Sequence, residues 1–134
     1  MEIKLIPLQA YGDERGSLVA LEEAKNIPFS IKRVYYMFDT KDNVTRGYHA
    51  HRNLKQVAIA LKGSCKFILD DAVERREVIL NDPAYGLLLE SVIWREITDF
   101  SDDCVLMVLA DQYYDESDYI RNYDQFLKER QNEL

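Results

Sequence analysis

Short runs of alternating or apolar residues are the sequence feature that most restricts the fold of this 134-residue chain. The runs are about four to eight residues long and rich in Val, Ile, Tyr and Phe, which is typical of β-strands. Clusters of Gly, Pro, Asn and Asp separate them. About ten strands are predicted, over residues 3–8, 17–22, 31–38, 47–51, 56–61, 65–69, 75–80, 87–89, 93–97 and 104–110. So many short strands are typical of a β-sandwich or a β-barrel.

The last part of the chain has a different pattern. Ile120, Tyr123 and Leu127 recur at helical spacing, and Ser117 is a suitable N-cap. The pattern predicts one helix over about 117–131. Because no repeat or linker interrupts the chain, we expect a single all-β domain over residues 1–134, closed by this one C-terminal α-helix.

Charge and hydropathy argue against two kinds of partner. The chain has 17 Lys and Arg residues against 24 Asp and Glu residues, and its net charge of −7 does not favour binding to nucleic acid. No apolar stretch approaches the ~20 residues of a membrane span, and the first residues do not resemble a signal peptide. We therefore expect a cytoplasmic protein with no nucleic-acid or membrane partner. Cys65 and Cys104 lie inside apolar runs, which predicts buried free thiols.

His49 and His51 are the two histidines of the chain. Residues two apart on a strand point to the same face, so the two imidazoles are expected to project side by side. Imidazole changes charge near neutral pH, and a pair facing a pocket could take a proton from one carbon and deliver it to another. The alternative is a polar pair on an exposed strand face.

The residues around this pair favour a chemical role. Arg46 and Gly47 precede it, Gln56 and Gly63 follow it, and the spacing resembles the first motif of the cupin superfamily. Metal-binding cupins have a glutamate at the place of Gln56 and a third histidine on a later strand. An amide and two imidazoles rarely complete the three or four protein ligands of a zinc or iron site. We therefore predict no metal and no other cofactor, and interpret the histidines as an acid–base pair.

Two strand faces are candidates for the walls of a binding pocket. Gln56, Ala58 and Ala60 share one face of their strand, where small side chains either line a cavity or allow close packing. Arg33 and Tyr35 share a face of an earlier strand. An arginine fork can bind phosphate oxygens at two points, and an aromatic ring can stack on a base.

Further arginines extend this candidate site. Arg33 and Arg46, together with Tyr35, are predicted to hold a nucleotide diphosphate. Arg15 and Arg95 are two additional candidates. The alternative for any one of these arginines is an ordinary ion pair with a surface acid.

Five segments of the chain together resemble one enzyme family. They are residues 13–18, 31–36, 46–51, 94–96 and 113–121. In this order they are similar to the dTDP-4-keto-6-deoxyglucose 3,4-ketoisomerases, over nearly the whole chain. The resemblance implies a metal-free, cupin-type β-jelly-roll barrel, and a homodimer whose subunits exchange N-terminal strands.

The resemblance also implies a reaction and a set of roles. The ketone of a dTDP-linked 4-keto-6-deoxyglucose moves from C4 to C3 through an enediol. The product of this reaction would feed the synthesis of a 3-amino-3,6-dideoxyhexose for bacterial surface glycans. We expect His51 to remove the C3 proton, His49 to act on the oxygens and C4, and Arg95 or Arg15 to stabilise the enediolate. The expected substrate-binding residues are Arg15, Arg33, Tyr35, Arg46, Gln56 and Arg95.

Arg15 and Arg95 bear on the stereochemistry at C4. Galacto-forming members of the family pair arginine at the first position with histidine at the second, whereas gluco-forming members have tyrosine and arginine. This chain has arginine at both positions. The gluco product is favoured, because arginine at the second position removes one proton donor. Alternative functions are a dTDP-sugar 3,5-epimerase, which has a longer chain and a further histidine, and a cupin that binds a nucleotide sugar without altering it.

Overall fold

Strands dominate the protein, which is described here from a computed structural model covering residues 1–41 and 43–133. The strands are β1 (Leu5–Pro7), β2 (Ala10–Asp13), β3 (Gly16–Val19), β4 (Arg33–Met37), β5 (Arg46–His51), β6 (Gln56–Lys62), β7 (Cys65–Asp70), β8 (Arg75–Leu80), β9 (Tyr85–Leu89), β10 (Trp94–Thr98), β11 (Val105–Ala110) and β12 (Tyr119–Ile120). A 3₁₀ turn (Glu116–Asp118) precedes β12, and the helix α1 (Tyr123–Glu133) follows it. The predicted all-β architecture with one C-terminal helix is confirmed.

Two five-stranded antiparallel sheets form the body of the molecule. The first has the order β1-β9-β6-β11-β4, and the second has the order β12-β5-β10-β7-β8. A large core cluster, including Phe67, Leu87 and Leu106, draws its residues from strands of both sheets. The sheets therefore bury their inner faces against each other, as in a jelly roll.

Strand β6 is buried on both faces. Ala58 and Ala60 belong to the large core cluster, while Val57 and Ile59 pack in a second cluster with Ile27. The alanines thus serve close packing inside the barrel. Of the three residues on this face, only Gln56 lines a cavity.

The C-terminal helix begins later than the predicted 117–131. Asp115, and not Ser117, caps the 3₁₀ turn, since its side chain accepts a hydrogen bond from the Ser117 amide. The next residues pair with β5 as β12, in register Tyr119 to His51. The side chain of Asn122 accepts a hydrogen bond from the Gln125 amide at 2.9 Å and so caps α1. The second cap explains the shift of the helix toward the C-terminus.

The N-terminal hairpin also differs from the prediction. Residues 10–13, which lie outside the predicted strands, form β2, and the turn lies at Glu14 and Arg15. Within the described part of the chain, β2 and β3 pair only with each other. The hairpin therefore forms a separate two-stranded sheet.

Two further expectations concern the cysteines and the membrane. Cys65 and Cys104 are both buried and free, as predicted. No helix within residues 1–41 and 43–133 combines the length and the apolar character that crossing a membrane requires.

Candidate active site

A cavity of about 310 Å³ lies between strands of the two sheets. Its apolar lining comes from core side chains that include Phe67, Leu89 and Val108. Six of the predicted site residues line it: Arg33, Tyr35, Arg46, His49, Gln56 and Arg95. The fold thus brings residues that are far apart in sequence to one cavity.

Arg15 lies elsewhere. It stands at the tip of the β2–β3 hairpin with its side chain 85% exposed, and it forms an ion pair with Asp13. The structure therefore does not bring Arg15 to the cavity of its own chain.

The two histidines lie side by side on β5, as the period-two pattern predicted. Their ring centroids are 4.9 Å apart and their planes nearly perpendicular. The Tyr119 ring packs against both, with centroid distances of 4.9 Å to His49 and 4.4 Å to His51. The short strand β12 thus holds the pair from one side.

A β-bulge next to the histidines sets their position relative to β10. Gly47 is paired with Glu96 and His49 with Arg95, so Tyr48 has no partner on β10 and adopts a φ of 57°. Gly47 has a φ of 94°, and a Cβ at this position would lie 2.8 Å from the Arg95 carbonyl oxygen. Only glycine permits this approach of the two strands. Bulges and positive φ angles of this kind concentrate at functional sites.

His49 faces the cavity as a neutral base. Its Nδ1 lies 3.1 Å from the Gly47 carbonyl oxygen, which can only accept, so Nδ1 carries the proton and Nε2 is free. Burial and the Arg95 guanidinium lower the pKa of His49 to about 4. The ring is therefore uncharged at neutral pH and able to take a proton.

His51 is the more deeply buried of the two, with 1% of its surface exposed. Its Nδ1 lies 3.1 Å from Oδ2 of Asp118, while its Nε2 finds no hydrogen-bond partner among the described residues. Burial, Arg95 and His49 lower the pKa of His51 to about 2. His49 is among the residues that line the cavity, and the His51 ring packs next to it.

Arg95 is a buried positive charge beside the histidines, 3% exposed. Burial lowers its pKa to about 10, so it remains charged at neutral pH. It donates to the Gln56 side-chain oxygen and to the Ile93 carbonyl, and the Gln56 amide donates in turn to the Tyr35 hydroxyl at 2.9 Å. Among residues 1–41 and 43–133, no carboxylate pairs with Arg95. The guanidinium is therefore fixed in place but not neutralised.

Four arginines line the cavity in a chain whose net charge is −7: Arg33, Arg46, Arg95 and Arg121. The Arg33 guanidinium lies over the rings of Tyr35 and Tyr114, at 5.2 and 5.6 Å from their centroids. Arg121 lies 4.2 Å from the ring centroid of Tyr119. The aromatic rings hold the guanidinium groups of Arg33 and Arg121 at the cavity, where arginine suits an anion such as a phosphate. Nε and Nη2 of Arg121 also donate to the Glu116 carboxylate.

Asp118, Tyr119 and Arg121 were not among the predicted site residues. The sequence pattern assigned them to a helix, in which they would not meet β5. Asp115 and Asn122 are both N-cap residue types, and this double signal could have separated the turn and β12 from α1. In the described part of the chain, no group of three or more His, Cys, Asp and Glu side chains could hold a metal ion.

Comparisons with known proteins identify the family of the chain. Residues 1–131 match the family model described as FdtA: WxcM-like, C-terminal. A curated relative from Aneurinibacillus thermoaerophilus, TDP-4-oxo-6-deoxy-alpha-D-glucose-3,4-oxoisomerase, is 59% identical over 128 residues, which are 96% of this chain and 92% of the relative.

Solved structures show the same relationship. QdtA, a 3,4-ketoisomerase from Thermoanaerobacterium thermosaccharolyticum solved in complex with TDP, matches with a TM-score of 0.96 and 45% identity, covering 98% of this chain and 96% of QdtA. The TDP-quinovose 3,4-ketoisomerase WlaRB from Campylobacter jejuni matches with a TM-score of 0.90 and 51% identity, covering 94% and 97%. A dTDP-4-dehydrorhamnose 3,5-epimerase from Bacillus anthracis shares the fold, with a TM-score of 0.76, at 18% identity. The chain therefore belongs to the FdtA family, and the family resemblance predicted from its five sequence segments is confirmed.

Proposed function

We propose that the protein is a TDP-sugar 3,4-ketoisomerase that converts dTDP-4-keto-6-deoxy-D-glucose into the 3-keto isomer. The observation that carries the proposal is a pair of neutral imidazoles, His49 and His51, beside the buried cation Arg95 in one cavity. A ketone moves between neighbouring carbons through an enediol, which requires proton transfer and stabilisation of a negative oxygen. A QdtA variant was solved with TDP-4-keto-6-deoxyglucose, which supports this choice of substrate.

His49 is assigned the role of the base that removes the proton from C3. It lines the cavity with Nε2 unprotonated, whereas His51 lies deeper, against Asp118. A base must reach the proton that it removes, so the cavity-facing ring is the better candidate. This assignment reverses the one expected from the sequence. His51 is its partner in returning protons to C4 and to the sugar oxygens.

Arg95 is assigned the role of stabilising the negative charge of the developing enediolate. A fixed cation in a water-poor site stabilises charge that appears only in the transition state, and it needs no reorganisation to do so. Arg33, Arg46 and Arg121 line the same cavity and are assigned the diphosphate. Tyr35 and Gln56 hold Arg95 through their hydrogen bonds.

The test is incubation with dTDP-4-keto-6-deoxyglucose in heavy water, followed by NMR of the sugar. A 3,4-ketoisomerase introduces deuterium into the sugar ring and forms the 3-keto product. A protein that only binds the sugar does neither. A 3,5-epimerase leaves the ketone at C4 and introduces deuterium at C5 in addition. We expect His49→Asn to lower kcat by about 100-fold or more. Tyr48→Phe, an exposed neighbour on the same strand, is the control and should retain activity.

Two outcomes of this experiment would change the proposal. Turnover retained in His49→Asn but lost in His51→Asn would restore the opposite division of roles. Turnover retained in both variants would place the chemistry outside this cavity.

The same spectra give the configuration at C4, for which we propose the gluco product. Arg95 occupies the position where a histidine could donate a proton to one sugar face, and its hydrogen bonds to Gln56 and Ile93 fix its orientation.

The product would then be aminated by a PLP-dependent aminotransferase, in the cytoplasm, for lipopolysaccharide O-antigen or S-layer glycans.

We further propose a homodimer whose subunits exchange their N-terminal strands. Tyr11 and Leu18 on the β2–β3 hairpin are exposed. Val34 and Tyr36 on β4, the last strand of its sheet, are exposed too, and so is Phe38, which follows that strand. Apolar surface on this scale typically marks an interface. Arg15 does not line the cavity of its own chain. In the exchanged dimer it would reach the cavity of the partner subunit.

A further inference from the structure

The carboxylate of Asp118 lies directly behind the catalytic pair. Its Oδ2 is 3.1 Å from Nδ1 of His51, and only 8% of the residue is exposed. Its Oδ1 accepts the Asn53 amide at 2.8 Å, and its Oδ2 also lies 3.3 Å from the Leu54 amide. The two backbone donors belong to the residues that follow β5. The carboxylate is therefore held by the segment that directly follows the strand carrying the histidines.

Arg52 fixes the turn that carries Asp118. Its guanidinium donates to the carbonyls of Ser117 and Tyr119, one on each side of Asp118, and forms a two-point ion pair with Glu129 on α1. The Arg52 amide donates to the Asp118 carbonyl at 2.9 Å. The residue next to His51 in sequence thus holds the backbone of the residue that contacts His51 in space.

The acceptors at the two histidines determine which ring nitrogen carries the proton. An ionised carboxylate and a backbone carbonyl both only accept hydrogen bonds, so an imidazole that contacts either must donate from Nδ1. Asp118 faces Nδ1 of His51 and the Gly47 carbonyl faces Nδ1 of His49. Both rings therefore present an unprotonated Nε2.

We propose that Asp118 is a positioning residue that holds His51 in the Nδ1–H tautomer, with Nε2 free to exchange protons with the sugar. This inference rests on the proposed function for its catalytic consequence, but not for the tautomer itself. When His51 takes up a proton during turnover, the carboxylate offsets the positive charge next to Arg95. Asparagine at this position can donate to Nδ1, which shifts the proton to Nε2 and removes the base.

The presence of two histidines makes the tautomer directly measurable. In protein labelled with ¹⁵N-histidine, ring-nitrogen chemical shifts distinguish protonated from unprotonated nitrogens. We expect both histidines of the wild-type protein to show a protonated Nδ1 and an unprotonated Nε2. In Asp118→Asn the His51 signals should change to the Nε2–H form, while those of His49 stay. An Nε2–H form of His51 in the wild-type protein would overturn the proposal, with no variant needed.

Kinetics with dTDP-4-keto-6-deoxyglucose supply the second readout. We expect Asp118→Asn to lower kcat by about 100-fold or more while KM changes by less than about threefold. Asp118→Glu, which keeps the carboxylate, should recover about tenfold of that loss. Asp115→Asn is the matched control, because it alters the cap of the same turn without facing His51, and it should leave kcat within about twofold.

The outcomes separate this inference from the proposed function. Equal loss of kcat in Asp115→Asn and Asp118→Asn would show that the turn matters only for structure, and would overturn the role of Asp118. The wild-type His51 tautomer without any turnover of the keto sugar would contradict the proposed function alone. An unchanged tautomer and unchanged kcat in Asp118→Asn would contradict the inference alone.

Discussion

At the scale of single residues, the site holds two imidazoles without charge next to a cation. Burial, together with Arg95, keeps His49 and His51 neutral, and each pKa falls well below the 6.5 of a free histidine. A neutral ring can act as a base across the physiological pH range. The same arrangement makes the folded protein sensitive to acid, because the unfolded chain is free to protonate both rings.

The pH dependence of stability follows from these shifts. The folded pKa values of about 4 and about 2 lie below the unfolded value of 6.5. Below pH 6.5 the unfolded chain therefore binds more protons than the folded protein, and the free energy of unfolding decreases as the pH is lowered. Between pH 7 and pH 5, each histidine should remove up to about 2 kcal/mol from the free energy of unfolding. Urea titrations at the two pH values should show a smaller loss in His51→Asn than in the wild type. Equal losses in the two proteins would contradict the low pKa of His51.

Which site residues could be predicted from sequence depended on whether the contact was local. His49 and His51 share a face because alternation along a strand is a local property, and the bulge at Tyr48 precedes both and leaves their relation unchanged. Asp118 meets His51 across 67 residues of chain, and no local pattern marks that contact. Arg15 lies away from the cavity of its own chain, so a single chain gives it no partner there.

At the scale of elements, the C-terminal segment shows where strand and helix signals competed. Most strands lie within a few residues of their predicted ranges, since their apolar runs were bounded by turn residues. In the segment after residue 111, which is rich in charged residues and tyrosines, a two-residue strand lies between a capped 3₁₀ turn and a capped helix. Such a strand exists only through its pairing with β5, and a short local window therefore cannot reveal it.

Phe126 links α1 to the second sheet and provides a test of that element. It is 0% exposed and packs against Trp94 and Tyr123, with ring centroids 5.8 and 5.6 Å away. We expect Phe126→Ala to lower the free energy of unfolding by about 3–5 kcal/mol, as for other buried aromatic truncations. Trp94 is the single tryptophan, so its fluorescence reports the loosening of the helix directly.

An exposed position on the same helix supplies the comparison. Lys128→Ala removes a side chain outside this cluster and should change stability by less than about 0.5 kcal/mol. A loss in Phe126→Ala no larger than in Lys128→Ala would show that α1 contributes little to holding β12 against β5.

At the scale of the whole molecule, charge and surface are distributed unevenly. A chain with a net charge of −7 places four arginines around one cavity, and this local field attracts an anionic ligand that the remaining surface repels. The hairpin β2–β3 and the outer side of β4 leave apolar side chains exposed. A second copy of the chain would explain both the exposed apolar side chains and the position of Arg15. It would cover the apolar surface and receive Arg15 beside the arginines of its own cavity.

Mixing of inactive variants tests this arrangement. If exchanged hairpins bring Arg15 into the partner's cavity, Arg15→Ala and His49→Asn damage the same site from different subunits. Each variant alone should be inactive. Refolding an equal mixture should give heterodimers in half of the molecules. Each heterodimer has one site with both residues intact, so about one quarter of wild-type activity should return.

The control for this mixture combines two variants that damage a site from the same subunit. His49→Asn mixed with His51→Asn leaves every site of every dimer with one histidine missing, because both residues lie on β5. No activity should return in that mixture. Failure of the Arg15→Ala and His49→Asn mixture to recover would mean that Arg15 does not act across the dimer. Recovery in the control as well would mean that the activity regained in the first mixture does not come from Arg15 crossing between subunits. Sedimentation of the wild-type protein as a monomer would contradict the exchanged dimer itself, because a hairpin can be exchanged only between two copies.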